Sequence, residues 1–198
     1  STFAPELIVH KLLGDTISPE NIVPFFEEEF DSIVIGPGMG KDKASLEAVQ
    51  LILERCNNLV IDADAISAHD FYDKNILITP HKGELTRLGL QAERKDLMSY
   101  ANLNNLTLLF KGEIDLITDG RFFKKNLTGH PRMAVGGSGD VLAGVCGAFM
   151  AKGLTPFEAA RLAAYSLGKA GEKCNEEIGA GFLPTDLALS LSKILLSD

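Results

Sequence analysis

The chain contains no tryptophan, and aromatic residues make up only 7% of its 198 positions. Its three cysteines, Cys56, Cys146 and Cys174, are far apart and form no C-x-x-C pair. The sequence therefore predicts neither a disulfide framework nor a zinc site built from paired cysteines. We expect all three to behave as small apolar residues in a reducing cytosol.

Long apolar runs and excess positive charge are also missing. No stretch reaches the roughly 18–20 apolar residues that a membrane span needs, and no secretory signal pattern is present. Lys and Arg number 19 against 27 Asp and Glu, a net charge of −8. This balance argues against nucleic acid or an anionic membrane as the main partner. We expect a cytoplasmic protein that holds any phosphate through local loops, helix ends or a metal.

Strand and helix patterns alternate along the first half of the chain. The predicted strands are short and continuously apolar, which is typical of a parallel sheet with helices on both faces. Apolar runs that fit strands occur at 7–9, 32–35, 59–61, 76–78 and 106–110, and helical patterns occur at 19–30 and 44–55.

A hairpin and a helical segment follow. Asp119-Gly120 lies between apolar runs at 114–118 and 121–123, which predicts a β-hairpin closed by a type I′ turn. After Pro131 the pattern is almost wholly helical, with helices predicted at 140–152, 156–175 and 186–196. The fold class is thus α/β with a helical C-terminal third, and residues 1–198 are expected to form a single domain.

The most informative stretch is the loop from Gly136 to Asp140, which opens an apolar helix. A glycine-rich turn at a helix start offers unpaired N–H groups and the positive end of the helix dipole, and so forms an anion site. Asp140 at its mouth has two interpretations: a simple helix cap, or a base beside an anion hole. The polar residues at the other strand ends favour the second.

Those strand ends carry further candidates, because ligands of such sheets bind at the carboxyl ends of the strands. Gly36-Pro37-Gly38-Met39-Gly40 is either a tight turn or a close approach to a ligand. Asp62 and Asp64 fit a metal site or a helix N-terminus; capping is favoured for Asp64, and Asp62 is the better site candidate.

Two more strand ends carry a histidine and a lysine. His81 follows Thr79-Pro80 and is interpreted as functional rather than structural, since imidazole there could donate to phosphate, stack on a base or move a proton. Lys111-Gly112 places an ammonium group at the same edge, although a solvated lysine is an equally good interpretation. Together the strand ends predict a cleft for a phosphorylated ligand.

The order of these motifs resembles the ADP-dependent NAD(P)H-hydrate dehydratases of the ribokinase-like superfamily. The resemblance runs from about residue 5 to the C-terminus. Its most specific parts are Thr79-Pro80-His81-Lys82-Gly83-Glu84 and the stretch from Gly136 to Gly144. Asp62-Ala63-Asp64-Ala65 and Lys111-Gly112 also match. The resemblance implies a ribokinase-like fold with a mostly parallel central sheet, and repair of hydrated NADH and NADPH using ADP, with release of AMP and phosphate.

The resemblance also implies roles for individual residues. Asp140 would be the catalytic base, and the amides of the loop Gly137, Ser138 and Gly139 would stabilise the transferring phosphoryl group. Gly38, His81 and Asp140 match positions that contact the hydrated dinucleotide. The positions that match the nucleotide-binding segment are Lys111, Gly112, Glu113, Ile114, Asp115 and Gly139. Mg²⁺ is expected with the diphosphate, its protein ligands are not assigned, and a homo-oligomer, often a tetramer, is implied.

Two departures from the family pattern accompany these matches. The chain starts near what resembles the middle of the family's sequence, so we expect an N-terminally incomplete fold. Asp115 stands where relatives tend to carry Thr, and its charge could repel a phosphate. Two alternatives remain open: a ribokinase-like kinase of a small vitamin-precursor alcohol, and a nucleotide-binding module without catalysis.

Overall fold

The strands form one sheet in the order in which they occur along the chain. A computed structural model describes residues 7–67 and 75–195. The strands are β1 (Ile33–Ile35), β2 (Leu59–Ile61), β3 (Ile76–Ile78), β4 (Thr107–Phe110), β5 (Asp115–Thr118) and β6 (Phe123–Asn126). Neighbours from β1 to β4 are parallel, whereas β5 and β6 continue the sheet antiparallel. The predicted α/β class and mostly parallel sheet are confirmed.

Helices cover both faces of this sheet. They are α1 (Pro19–Ile22), α2 (Lys43–Arg55), α3 (Lys82–Arg87), α4 (Arg94–Leu103), α5 (Ser138–Ala151), α6 (Pro156–Glu177) and α7 (Pro184–Leu195). Successive strand residues point to opposite faces. Ile61 accordingly packs in a core with α2 and α4, while Val60 packs in a second core with α5, α6 and α7. The predicted C-terminal helices are confirmed, each beginning slightly earlier or ending slightly differently than expected.

The first predicted helix, at 19–30, is shorter than expected. The α-helix ends at Ile22 and continues as a 3₁₀-helix over Val23–Glu27. Pro24 accounts for the change, because its ring removes a backbone donor and clashes with the preceding helical turn. The apolar run at 7–9 forms no strand, and its side chains are exposed.

The hairpin forms, but the predicted type I′ turn is wrong. Thr118 pairs with Phe123, so four residues rather than two connect the strands. A type I′ turn needs positive φ at both central residues; Gly120 has a φ of 85°, whereas Asp119 does not have a positive φ. The Asp119 carboxylate instead accepts hydrogen bonds from the N–H groups of Arg121 (2.9 Å) and Phe122 (2.7 Å). Helix α4 was not predicted from the sequence.

Cys146 and Cys174 are buried and Cys56 is half-buried, and none of the three forms a disulfide bond with a described residue. Burial raises the pKa of the Cys146 thiol well above its ordinary value, as expected of a packing residue. None of the helices in 7–67 and 75–195 is long and apolar enough to cross a membrane.

Candidate active site

The carboxyl ends of β1 to β4 meet at one edge of the sheet, because these strands are parallel neighbours. Gly36, Asp62, Thr79 and Lys111 follow the four strands in turn. The edge is continued by a bridge between His81 and Lys111, and the Lys111 N–H donates to the Pro80 carbonyl at 2.8 Å. The strand-end motifs predicted from the sequence are therefore brought together.

At the centre of this edge lies a buried ion pair. The Asp62 side chain accepts hydrogen bonds from Lys111 Nζ (2.5 Å) and Thr79 Oγ1 (2.8 Å). Asp62 is only 1% exposed, and the Lys111 side chain is 18% exposed. A buried carboxylate needs such partners to offset its lost hydration. The interpretation of Lys111 as a freely solvated lysine is therefore wrong.

This ion pair lies directly against the start of α5. A Cβ atom placed on Gly139 would be 3.3 Å from Lys111 Nζ and 3.9 Å from Asp62 Oδ2. The glycine thus lets the ammonium group approach the first helical turn. The positive charge of Lys111 and the positive end of the α5 dipole consequently lie next to each other, which is the arrangement that an anionic group prefers.

The glycine loop that precedes α5 is shorter than predicted, because Ser138, Gly139 and Asp140 already lie in the first turn of the helix. Gly137 is the N-cap residue with a φ of 95°, and α5 begins at Ser138. The first N–H groups of a helix have no intrahelical acceptor, so those of Gly139 and Asp140 are available to a ligand. The Ser138 hydroxyl is buried and has no hydrogen-bond partner among the described residues, a costly state for a polar group.

Asp140 does not behave as a helix cap. It lies exposed in the first turn of α5, and no side chain caps that helix. Within residues 7–67 and 75–195 its carboxylate makes neither a hydrogen bond nor an ion pair. A free carboxylate beside unpaired amides fits the second interpretation from the sequence, a base next to an anion hole.

The loop after β1 is held by the segment after β2. Gly36 has a φ of 122°, and a Cβ atom there would overlap the Asp62 carbonyl oxygen. The Gly40 N–H donates to Asp64 Oδ2 at 3.1 Å, and Lys41 Nζ lies 3.5 Å from the other Asp64 oxygen. Asp64 therefore does not cap a helix as expected; it fastens the loop that contains Gly38.

His81 has a structural role that the sequence analysis had disfavoured. Its Nδ1 accepts hydrogen bonds from the N–H groups of Gly83 (2.9 Å) and Glu84 (3.4 Å), and its own N–H donates to Glu84 Oε2 (2.8 Å). These bonds form a reciprocal capping box at the start of α3. The side chain is still 56% exposed, so it remains accessible at the edge of the site. A contact with the dinucleotide stays a prediction.

The segment after β4 is fastened by Asp115. Its carboxylate accepts hydrogen bonds from the Gly112 N–H (3.1 Å) and from Asn126 Nδ2 (3.0 Å). Burial raises the pKa of Asp115 above its ordinary value. Both oxygens are thus engaged within the protein, and Gly112, Glu113 and Ile114 are left exposed between them and Lys111. Asn126 is not predicted from the sequence as a partner of Asp115, because this pairing depends on the hairpin register.

The carboxylates after β2 do not form a shared metal site. Asp62 is engaged by Lys111 and Thr79, whereas Asp64 faces Gly40 and Lys41. The described part of the chain contains no group of three or more His, Cys, Asp or Glu side chains suited to a metal ion. Mg²⁺ commonly binds through substrate phosphates with one or two carboxylates. The residues present therefore fit a metal delivered by a nucleotide rather than a preformed protein site.

The fold is of the ribokinase-like class, because the chain is similar to a ribokinase-like superfamily protein of Enterococcus faecalis. The TM-score is 0.79 with 27% sequence identity, covering 89% of this chain and 67% of that one. Among solved structures, the chain is similar to the ADP/ATP-dependent NAD(P)H-hydrate dehydratase of Bacillus subtilis co-crystallised with ATP/Mg²⁺. The TM-score is 0.78 with 25% sequence identity, covering 85% of this chain and 65% of that one.

The sequence comparisons give the family. Residues 1–193 match the family model described as NAD(P)H-hydrate dehydratase, and the chain belongs to that family. It is 32% identical, over 98% of its length, to the bifunctional NAD(P)H-hydrate repair enzyme Nnr of Methanothermobacter thermautotrophicus. It is 33% identical, over 83% of its length, to the ADP-dependent (S)-NAD(P)H-hydrate dehydratase of Cenarchaeum symbiosum. The chain spans 41% of the first relative and 62% of the second.

Proposed function

We propose that the chain catalyses ADP-dependent dehydration of the (S)-hydrate of NADH and NADPH, which restores the reduced cofactor and releases AMP and phosphate. The observation that carries the proposal is the unpaired Asp140 carboxylate in the first turn of α5, beside free amides and the Lys111 ammonium group. Family membership and the printed names of the relatives support the same reaction.

The chemistry divides into a transfer and an elimination. Asp140 accepts the proton of the ring hydroxyl, whose oxygen attacks the β-phosphorus of ADP as the bond to the AMP oxygen breaks. The phosphorylated ring then loses phosphate with the C–O bonding pair, while a neighbouring carbon gives up a proton and the ring double bond returns. Phosphorylation converts a poor leaving group into a good one, and this explains why a dehydratase would need a nucleotide.

The protein stabilises charge on the group in transit. The amides of Gly137 and Gly139 donate toward the phosphoryl oxygens, whereas the Ser138 N–H is directed to the Val135 carbonyl at 3.3 Å. The α5 dipole favours both these oxygens and an ionised Asp140. Lys111 adds a fixed positive charge next to the start of α5. Phosphoryl transfer depends mainly on such positioning and electrostatic stabilisation.

The hydrated dinucleotide and ADP bind to different segments at the carboxyl edge. Gly38 and His81 lie on the side assigned to the hydrated dinucleotide, and Asp140 lies between the two ligands. The segment from Lys111 to Asp115, together with Gly139, holds ADP, whose adenosine would lie along the exposed residues 112–114. When bound, Mg²⁺ would supply positive charge that offsets the charge of the diphosphate. A cytoplasmic location, a homotetramer and a single domain over residues 1–198 remain predictions, and sedimentation of the purified chain tests the oligomeric state.

The experiment is to incubate the chain with enzymatically or acid-hydrated NADH and either ADP or ATP, and to follow the absorbance of the reduced nicotinamide ring. We expect recovery with ADP. Recovery with neither nucleotide, together with phosphorylation of a small vitamin-precursor alcohol, would identify a kinase instead. ADP binding by calorimetry without any turnover would identify a nucleotide-binding module.

A further inference from the structure

Asp62 takes no part in the proposed transfer, yet its carboxylate is almost completely buried at the centre of the site. Burial of a carboxylate costs free energy unless an ion pair and hydrogen bonds offset its lost hydration. Its partners are Thr79 and Lys111, and only Lys111 reaches the start of α5. We propose that Asp62 is a positioning residue, which holds the Lys111 ammonium group where the β-phosphate of ADP binds. This inference rests on the proposed function, because it concerns the same nucleotide site.

The lysine side chain is long and flexible. A free lysine loses rotamer entropy when it becomes fixed on a ligand. Here the Asp62 contact at 2.5 Å fixes Lys111 before any nucleotide arrives. An ammonium group has three N–H donors, so the bond to Asp62 leaves two for phosphate oxygens.

Asp62 is itself rigidly held. Its N–H donates to the Ile35 carbonyl at 3.0 Å, and its side chain accepts from Thr79 at 2.8 Å. Asp62 and Thr79 directly follow the central strands β2 and β3, and Ile35 is the last residue of β1. The position of the Lys111 ammonium group is therefore set by the ends of β1, β2 and β3, and not by the flexible lysine side chain alone.

Asp64, two residues further on, contrasts with Asp62. Ala63 between them has a φ of 48°, which turns the chain. Asp64 consequently holds the Gly40 N–H on the dinucleotide side, and Asp62 holds Lys111 on the ADP side. The two carboxylates should therefore affect different substrates, and Asp64→Asn is a matched control for Asp62→Asn.

The test compares steady-state kinetics and ADP calorimetry for five variants: Asp62→Asn, Thr79→Val, Lys111→Ala, Asp62→Asn with Lys111→Ala, and Asp64→Asn. Loss of one charge-assisted contact corresponds to about a tenfold change in affinity. We expect Asp62→Asn to raise KM and Kd for ADP about tenfold and to leave KM for the hydrate within about twofold. Asp64→Asn should show the reverse preference, and Thr79→Val, which keeps all charges, should show a weaker version of the Asp62 effect.

The double variant decides whether Asp62 acts through Lys111. We expect it to bind ADP no worse than Lys111→Ala alone, and we expect ethylammonium to restore part of the rate of Lys111→Ala only when Asp62 is present. Additive losses, equal losses for both substrates, or rescue that does not depend on Asp62 would overturn the proposal. If the unaltered chain fails to restore the cofactor, the proposed function fails. The calorimetric comparison still tests Asp62, and Thr79→Val serves if Asp62→Asn does not fold.

Discussion

The two edges of the sheet differ in how they use charge. At the carboxyl edge, Lys111 is paired with a buried carboxylate, and Asp140 in the first turn of α5 makes no ion pair with any described residue. At the amino edge, a cleft of about 800 Å³ is lined by Arg121, Lys124 and Arg161, whose side chains make no ion pair within the described ranges. None of the strand-end candidates lines this cleft.

The difference teaches that a site is located by converging functional groups rather than by cavity size. The cations of the amino edge lie on an edge strand, on its turn and on the exposed face of α6, where charge protects a sheet edge from pairing. Arg161 lies over the Phe157 ring at 5.5 Å, which accounts for its position without a ligand. At the carboxyl edge, hydrogen bonds from Lys111 and Thr79 instead offset the lost hydration of the buried Asp62 carboxylate.

The largest effect should come from Asp140. Asp140→Asn removes the base but keeps the side-chain shape, so we expect turnover to fall by a factor on the order of 10³. The Kd for ADP should stay within about threefold, since the amides and Lys111 remain. Rate measurements with ADP calorimetry check both. A variant that turns over at a near-normal rate would show that the carboxylate is not the base and would remove the main contrast between the edges.

His81 allows the cap and the ligand contact to be separated. His81→Ala should lower stability by about 1 kcal/mol through loss of the cap. It should also raise KM for the hydrate about tenfold, the scale of one lost hydrogen bond, with a smaller effect on ADP. His81→Asn is the matched control, because Asn caps helices well. We expect it to restore thermal stability but not KM. Recovery of both would leave His81 a cap only.

Asp115 predicts a pH dependence at the carboxyl edge. Burial raises the pKa of Asp115 in the folded protein above its ordinary value of 3.8. Between pH 3.8 and the raised pKa, the folded protein therefore binds more protons at this carboxylate than the unfolded chain does. The contribution of Asp115 to stability therefore falls as pH rises from about 3.8 through the raised pKa. Asp115→Asn should flatten this part of the curve of unfolding free energy against pH. A curve with the same slope in the variant would contradict the assignment.

The smallest effect is expected at the amino edge. Lys124→Ala and Arg161→Ala, singly or together, should change KM for ADP and for the hydrate by less than about twofold, because exposed unpaired charges contribute little. The same kinetic assay checks this. A severalfold rise in either KM would mean that the cleft takes part in the reaction, and the distinction between the two edges would be lost.

The sequence predicted which residues meet at the carboxyl edge better than it predicted which side chains pair with each other there. Parallel neighbours must end at one edge, so the convergence of Gly36, Asp62, His81 and Lys111 followed from the strand pattern alone. The pairing of Asp62 with Lys111 did not, because it joins side chains 49 positions apart through strand register and rotamer. His81 was interpreted by residue type, and its capping bonds depend on the local backbone. The predicted type I′ turn of the hairpin was wrong for the same reason, because the turn type also depends on the local backbone.

The most direct test of the account is the yield of AMP per restored cofactor. Hydrated NADH is incubated with the chain, ADP and Mg²⁺, and separated nucleotides are quantified against the regained absorbance of the reduced ring. We expect one AMP and one phosphate for each reduced cofactor restored, and formation of both at a rate on the order of 10³-fold lower with Asp140→Asn. Restoration of the cofactor without AMP formation would contradict phosphoryl transfer at the loop from Gly136 to Asp140.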